Sequence, residues 1–122
     1  MRIWRLAQPR YAPDLEGEGA RLFGGRWNSA GAPVIYTSDS LALAALEVLV
    51  HLPQIERHKE RMPRYIAIGV DVPDSLIANP GFASELSVSE SQALGDAWLR
   101  SASSLGLLAP SRVIPLERNV LL

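Results

Sequence analysis

The sequence predicts a mixed α/β (α+β) domain, and three observations carry that expectation. Short β-type runs alternate with apolar stretches long enough for helices. The connections lack the even strand–helix–strand rhythm of a doubly wound sheet. At 122 residues the chain holds one core and is too short for two. A single compact domain over residues 1–122 is therefore expected.

Residues 2–6, RIWRL, alternate as a short strand, with Arg2, Trp4 and Leu6 on one face and Ile3 and Arg5 on the other. Residues 7–28 are rich in glycine, contain Pro9 and Pro13, and show little periodicity. They read as a long irregular segment, a kind of loop that often carries function. VIYT, residues 34–37, is the next strand, opened by the Gly31-Ala32-Pro33 turn. Ser38-Asp39-Ser40 supplies N-cap side chains for a helix over about residues 41–52, which Pro53 stops. That helix is apolar nearly all round, the mark of a buried helix. Ser40, Leu43, Ala44, Glu47 and His51 project from a similar face. Residues 65–72 form a β-rich strand in which Ile66, Ile68, Val70 and Val72 share a face. A second helix starts at Val88, with Ser89 as its cap and Leu94 and Trp98 as core positions. Residues 111–116 and 119–122 close the chain as extended segments, with Pro115 at a bulge or edge.

Composition removes several classes of function. Zero cysteines excludes disulfides, thiolate metal sites and cysteine nucleophiles. His51 and His58 show no ligand spacing, so no metal is expected. A net charge of −1 is unlike that of a protein that binds nucleic acid by neutralising phosphates. The basic stretch at residues 57–64 is broken by Glu60 and reads as a solvated loop. No apolar run approaches the roughly 20 residues of a membrane span, and no charged-then-apolar leader is seen, so the expectation is a cytoplasmic protein.

Glu47 stands alone between Ala44-Ala45-Leu46 and Val48-Leu49-Val50. An unpaired carboxylate in a core costs several kcal/mol, roughly, or takes up a proton. Either an arginine pairs with it structurally, or it faces a cleft and does chemistry. Three details favour the cleft. Gly24 and Gly25 precede Arg26, allowing close backbone approach and an anion nest. Trp27 and Asn28 follow, offering a stacking surface and an amide. Tyr36 comes in the next strand.

These motifs resemble the RES domain family, named for an arginine, a glutamate and a serine. The resemblance is carried by Trp4-Arg5, by GGRWN at residues 24–28, by PVIYTSDSLALAALEVLVH at 33–51 and by PSRVIPLERNVLL at 110–122. It implies a fold like that of ADP-ribosyltransferases and a toxin of a type II toxin–antitoxin pair that acts on NAD. Hydrolysis or phosphorolysis of NAD is the expected reaction, with mono-ADP-ribosylation of a host protein as the alternative. The implied partner is a helix-turn-helix (Xre-like) antitoxin, with homo- or hetero-oligomers expected and neither nucleic acid nor membrane contacted directly. Carried over residue by residue, Arg26, Glu47 and Ser111 are the catalytic trio. Arg5, Arg26, Tyr36 and Glu47 are the NAD contacts, and the site uses no metal.

The chemistry suits those residue types. Cleaving the nicotinamide–ribose bond develops oxocarbenium character, which a carboxylate stabilises as in glycoside cleavage. Arginine forks suit a pyrophosphate better than lysines do. Ser111 is able to orient a carboxylate or the nicotinamide amide. His51 reads as a helix C-terminal residue favouring the dipole. A domain that only binds an antitoxin remains the rival outside enzymes, with Arg26 and Glu47 as a structural ion pair.

Overall fold

The computed structural model describes residues 1–52 and 63–122. Its strands are β1 (Arg2–Ala7), β2 (Tyr36–Ser38), β3 (Ile66–Asp71), β4 (Ile77–Ala78), β5 (Gly106–Pro110) and β6 (Arg118–Leu121). They form one sheet in the order β3-β1-β2-β6-β5-β4. Among the described residues, only the β4–β5 pairing is parallel. Among the described residues there are three α-helices: α1 (Glu18–Phe23), α2 (Leu41–His51) and α3 (Val88–Ser101). The mixed α/β class expected from the sequence is the class observed.

Alternation along the strands fills two sides of the sheet. Leu107, Ala109 and Leu121 pack with Trp27 and Val34, while Ile3, Val72 and Val120 form a second cluster that Leu108 joins. Cross-strand register then places polar residues in line. Trp4 pairs with Ser38, and Ser38 pairs with Asn119. Directly opposed residues share a face, so a polar row crosses the middle of the sheet.

Several local expectations are corrected. The glycine-rich segment contains α1, a single short helix. Asp14 starts it by accepting from the Glu16 and Glu18 amides at 2.9 and 3.2 Å, which offsets the weak helix propensity of the glycines. The cap of α3 is Ser87 rather than Ser89. Glu90 stands three residues after Ser87, whose hydroxyl accepts from the Glu90 amide and donates to the Glu90 carboxylate. Leu94 lies on the surface of α3, whereas Trp98 packs against the core. The strand expected at 111–116 is a turn, and the strand lies earlier, as β5. GLLAP is a continuous apolar run without alternation, the pattern of a strand buried on both faces.

The largest correction concerns α2. Its helix and its Ser40 cap agree with the sequence, the Ser40 hydroxyl accepting from the Leu43 amide at 3.1 Å. It is nevertheless not a buried helix. Only Leu43 and Ala44 are buried, while Leu41, Leu46 and Leu49 are 39, 37 and 44% exposed. It packs against β1 and β2. Pro53, His58 and residues 57–62 of the basic stretch lie outside the described residues.

Candidate active site

The GGRWN turn is held by side chains on both flanks. From the sheet, the Tyr36 hydroxyl accepts from the Trp27 amide at 3.0 Å and donates to Asn28 Oδ1 at 2.6 Å. Asn28 is fully buried, and its Nδ2 donates to the carbonyls of Ala20, Ser29 and Ala32. From the other flank, Ser91 Oγ donates to the Arg26 carbonyl, and Gln92 Nε2 donates to that of Gly25 at 2.8 Å. Asp96 accepts from both the amide and the hydroxyl of Ser29. Ser91, Gln92, Gly95 and Asp96 are spaced so that one side of α3 grips the turn.

These contacts revise three readings of the turn. The Gly24 and Gly25 amides donate to the carbonyls of Ala20 and Asn28, so they form no anion nest. Trp27 is buried and stacked on Phe82 with ring centroids 5.3 Å apart, which makes it core and not a stacking wall. Asn28 knots the turn and offers nothing to a ligand. Gly25 is required here because an added Cβ would come within 2.6 Å of the Tyr36 hydroxyl.

Tyr36 is thus a latch whose hydroxyl is occupied. Burial, the largest cause, pushes it up to about 12. Folding favours its neutral form, so its stabilising contribution is complete below the ordinary value of 10.0 and is lost as pH rises toward about 12. Tyr36→Phe strands the Trp27 amide and should cost about 1–3 kcal/mol in denaturant unfolding. An unchanged unfolding midpoint would dismiss the latch.

Glu47, near the end of α2, is half-buried. Its Oε1 accepts from Ser111 Oγ at 2.7 Å and from Asn119 Nδ2 at 3.1 Å. Asn119 Oδ1 in turn accepts from Ser38 Oγ at 3.1 Å. Ser111 is fully buried just past the end of β5, and its Oγ also accepts from the Val113 and Ile114 amides. Every hydrogen-bonding site of that hydroxyl is used, so Ser111 positions the carboxylate. Both donors converge on Oε1, and among the described residues Oε2 has no protein partner. His51 Nδ1 lies 2.6 Å from the Glu47 carbonyl, in keeping with a helix C-terminal role.

Arg26 completes the site from the turn. Its guanidinium lies 5.4 Å from the centre of the Trp27 ring, and its Nη2 reaches the Ser84 carbonyl at 3.3 Å. Nε and Nη1 are buried without a hydrogen-bond partner among the described residues. Burial and then the charge of Arg112 lower its hold on its proton, while Glu47 opposes both. Glu47 is therefore close enough to be felt, yet no Arg26–Glu47 ion pair forms among the described residues. Arg5 joins neither residue: its guanidinium donates to the carbonyls of Asp14 and Tyr11 at 2.6 and 3.4 Å. Adjacent strand residues point to opposite faces, so Trp4 rather than Arg5 shares the face of Ser38 and Asn119.

Asn119 and Ser38 escaped the sequence reading. The available signal was a lone amide in the apolar strand NVLL, away from any turn, where a side-chain partner is needed. Two hollows lie elsewhere on the described surface. One of about 400 Å³ lies between residues 29–33 and α3, and one of about 340 Å³ lies beside Phe82, Pro110 and Glu117. Glu47 and Arg26 line neither of these two hollows.

A mixed α/β domain with a braced carboxylate and, among the described residues, an arginine without an ion pair is the class of protein this geometry defines. The sequence matches the RES domain model over residues 2–122, and the chain belongs to that family. Toxin Res of Yersinia enterocolitica is 35% identical over 130 residues, covering 100% of this chain and 83% of the relative. Toxin Res of Photorhabdus laumondii is 31% identical over 130 residues, covering 100% and 81%. A Prs ADP-ribosylating toxin of a Sphingobium species is 34% identical over 135 residues, covering 98% and 80%. A chain of the M. tuberculosis MbcT–MbcA toxin–antitoxin complex superposes with a TM-score of 0.73 at 23% identity, covering 99% of this chain and 72% of that one. The last likeness is one of fold. The curated relatives are toxins, and this chain is a member of that toxin family.

Proposed function

We propose that this chain is the toxin of a toxin–antitoxin pair and that it cleaves the nicotinamide–ribose bond of NAD. The observation that carries this reading is Glu47, held through Oε1 by Ser111 and Asn119 with no ion pair to Arg26 among the described residues. A structural carboxylate would pair with the adjacent cation, whereas a catalytic one is braced and left open. As the C–N bond breaks, its electron pair neutralises the departing nicotinamide ring, and positive charge builds on the ribose. The fixed carboxylate stabilises that charge without reorganising. Water, phosphate or a protein side chain then attacks the same carbon.

The acceptor is tested by product analysis of NAD incubated with the purified domain, with and without phosphate. ADP-ribose alone means hydrolysis, and a phosphate-dependent ADP-ribose phosphate means phosphorolysis. Intact NAD under both conditions contradicts the reading. A second reading, transfer of ADP-ribose to a protein, is favoured by the name of the Sphingobium relative. A mass increase on a host protein would identify it. An antitoxin partner is proposed from the complex of the structural neighbour, and it should cover the cleft or lock residues 17–25. Binding that leaves NAD turnover intact would oppose this mode of control.

Arg26 gives a further expected outcome. Arg26→Met should weaken NAD binding by about 1.5–3 kcal/mol, the range for a lost charge-assisted contact. Its stability should stay within about 1 kcal/mol, because an unpaired and partly buried cation is being removed. Lysine should restore binding only in part. Calorimetry and thermal unfolding on the same variants check both outcomes.

A further inference from the structure

We infer that Arg112 is a second cationic arm of the substrate site, which meets the pyrophosphate together with Arg26. This rests on the NAD reading above and names a specificity residue within it. The turn after β5 is fixed by Ser111, whose Oγ accepts from the Val113 and Ile114 amides while it donates to Glu47. Arg112 sits inside that turn, one residue from the serine that braces the carboxylate. Its place at the site is thereby set, although its side chain is exposed.

Two further observations point to an anion. Arg26 Nε and Nη1 are buried without a partner among the described residues. Arg112 is also near enough to repel Arg26, while among the described residues no carboxylate forms an ion pair with either. Like charges gathered around unsatisfied donors raise the free energy of the empty site and are relieved by a polyanion. Glu47 lies within the same field and is held by Ser111. A pyrophosphate between the two arginines would therefore leave the ribose side of the substrate toward the carboxylate.

The test uses the whole chain as wild type, Arg112→Ala and Arg112→Lys, with ADP-ribose and nicotinamide riboside as calorimetric probes at low and high salt. Arg112→Ala should weaken ADP-ribose binding about tenfold or more at low salt, as expected for one charged contact. The loss should shrink with added salt and be partly recovered by lysine. Binding of the riboside, which lacks phosphate, should not change. Equal losses for both probes would mean that Arg112 acts only through the fold of the Ser111 turn, overturning the inference. Arg112→Ala with wild-type ADP-ribose affinity and wild-type KM for NAD would overturn it while leaving the NAD reading intact. A wild-type chain that binds no ADP-ribose and leaves NAD intact would overturn both.

Discussion

Gly95→Ala is expected to lower the stability of the domain by about 3 kcal/mol or more, at or beyond the upper end of overpacking costs. In most helix interiors this substitution stabilises by about 1 kcal/mol through helix propensity. Here the new Cβ would lie 1.7 Å from the Trp27 carbonyl oxygen and 2.7 Å from its carbon. The neighbour is backbone, held by Tyr36 and by the contacts of Gly25 and Arg26 with α3, so it has nowhere to move. Relief requires α3 to separate from the turn, which breaks the Ser91 and Gln92 hydrogen bonds. The thermal midpoint should fall by about 10 °C for a domain of this size. Gly19→Ala in α1 serves as the control, since its Cβ meets nothing within 4 Å. An unchanged midpoint for Gly95→Ala would mean that α3 does not clamp the turn.

Glu47→Gln should lower NAD turnover by about a hundredfold or more, the usual effect of losing one preorganised electrostatic group. Glutamine keeps the shape, and its Oε1 still accepts from Ser111 and Asn119. The ground-state complex should thus change little. What is lost is the negative charge that meets the developing oxocarbenium ion, so kcat should fall far more than KM changes. Stability separates this from a structural role. Removing one partner of a buried ion pair costs about 3–5 kcal/mol, but no such pair links Glu47 to Arg26 among the described residues. The variant should therefore unfold close to the wild-type midpoint.

Much of the fold was legible, because β1, β3, α2 and β6 carry plain alternation, caps or apolar runs. What escaped has physical reasons. β5 lacks alternation, and α1 is a glycine-containing turn of helix stabilised by Asp14, a residue four positions earlier. The exposed face of α2 was illegible in principle, since an apolar helix reads alike whether sheet or solvent lies beside it. At the site, local spacing isolated Arg26 and Glu47 as costly charges, and the family resemblance added Ser111. No spacing rule brings Ser111 to a glutamate 64 positions away; the return of β6 beside β5 and β2 does that. Asn119 was hidden for the same reason. Trp27, Asn28 and the Gly24 and Gly25 amides look ligand-facing in the sequence, but the turn uses them to hold itself.

The most direct test is a time course of NAD incubated with wild type and with Glu47→Gln at equal folded concentration, following free nicotinamide. Wild type should release one nicotinamide for each NAD lost, and the folded variant should release it about a hundredfold more slowly. Nicotinamide release at the same rate from both proteins, or no release from a folded wild type, would contradict a catalytic Glu47.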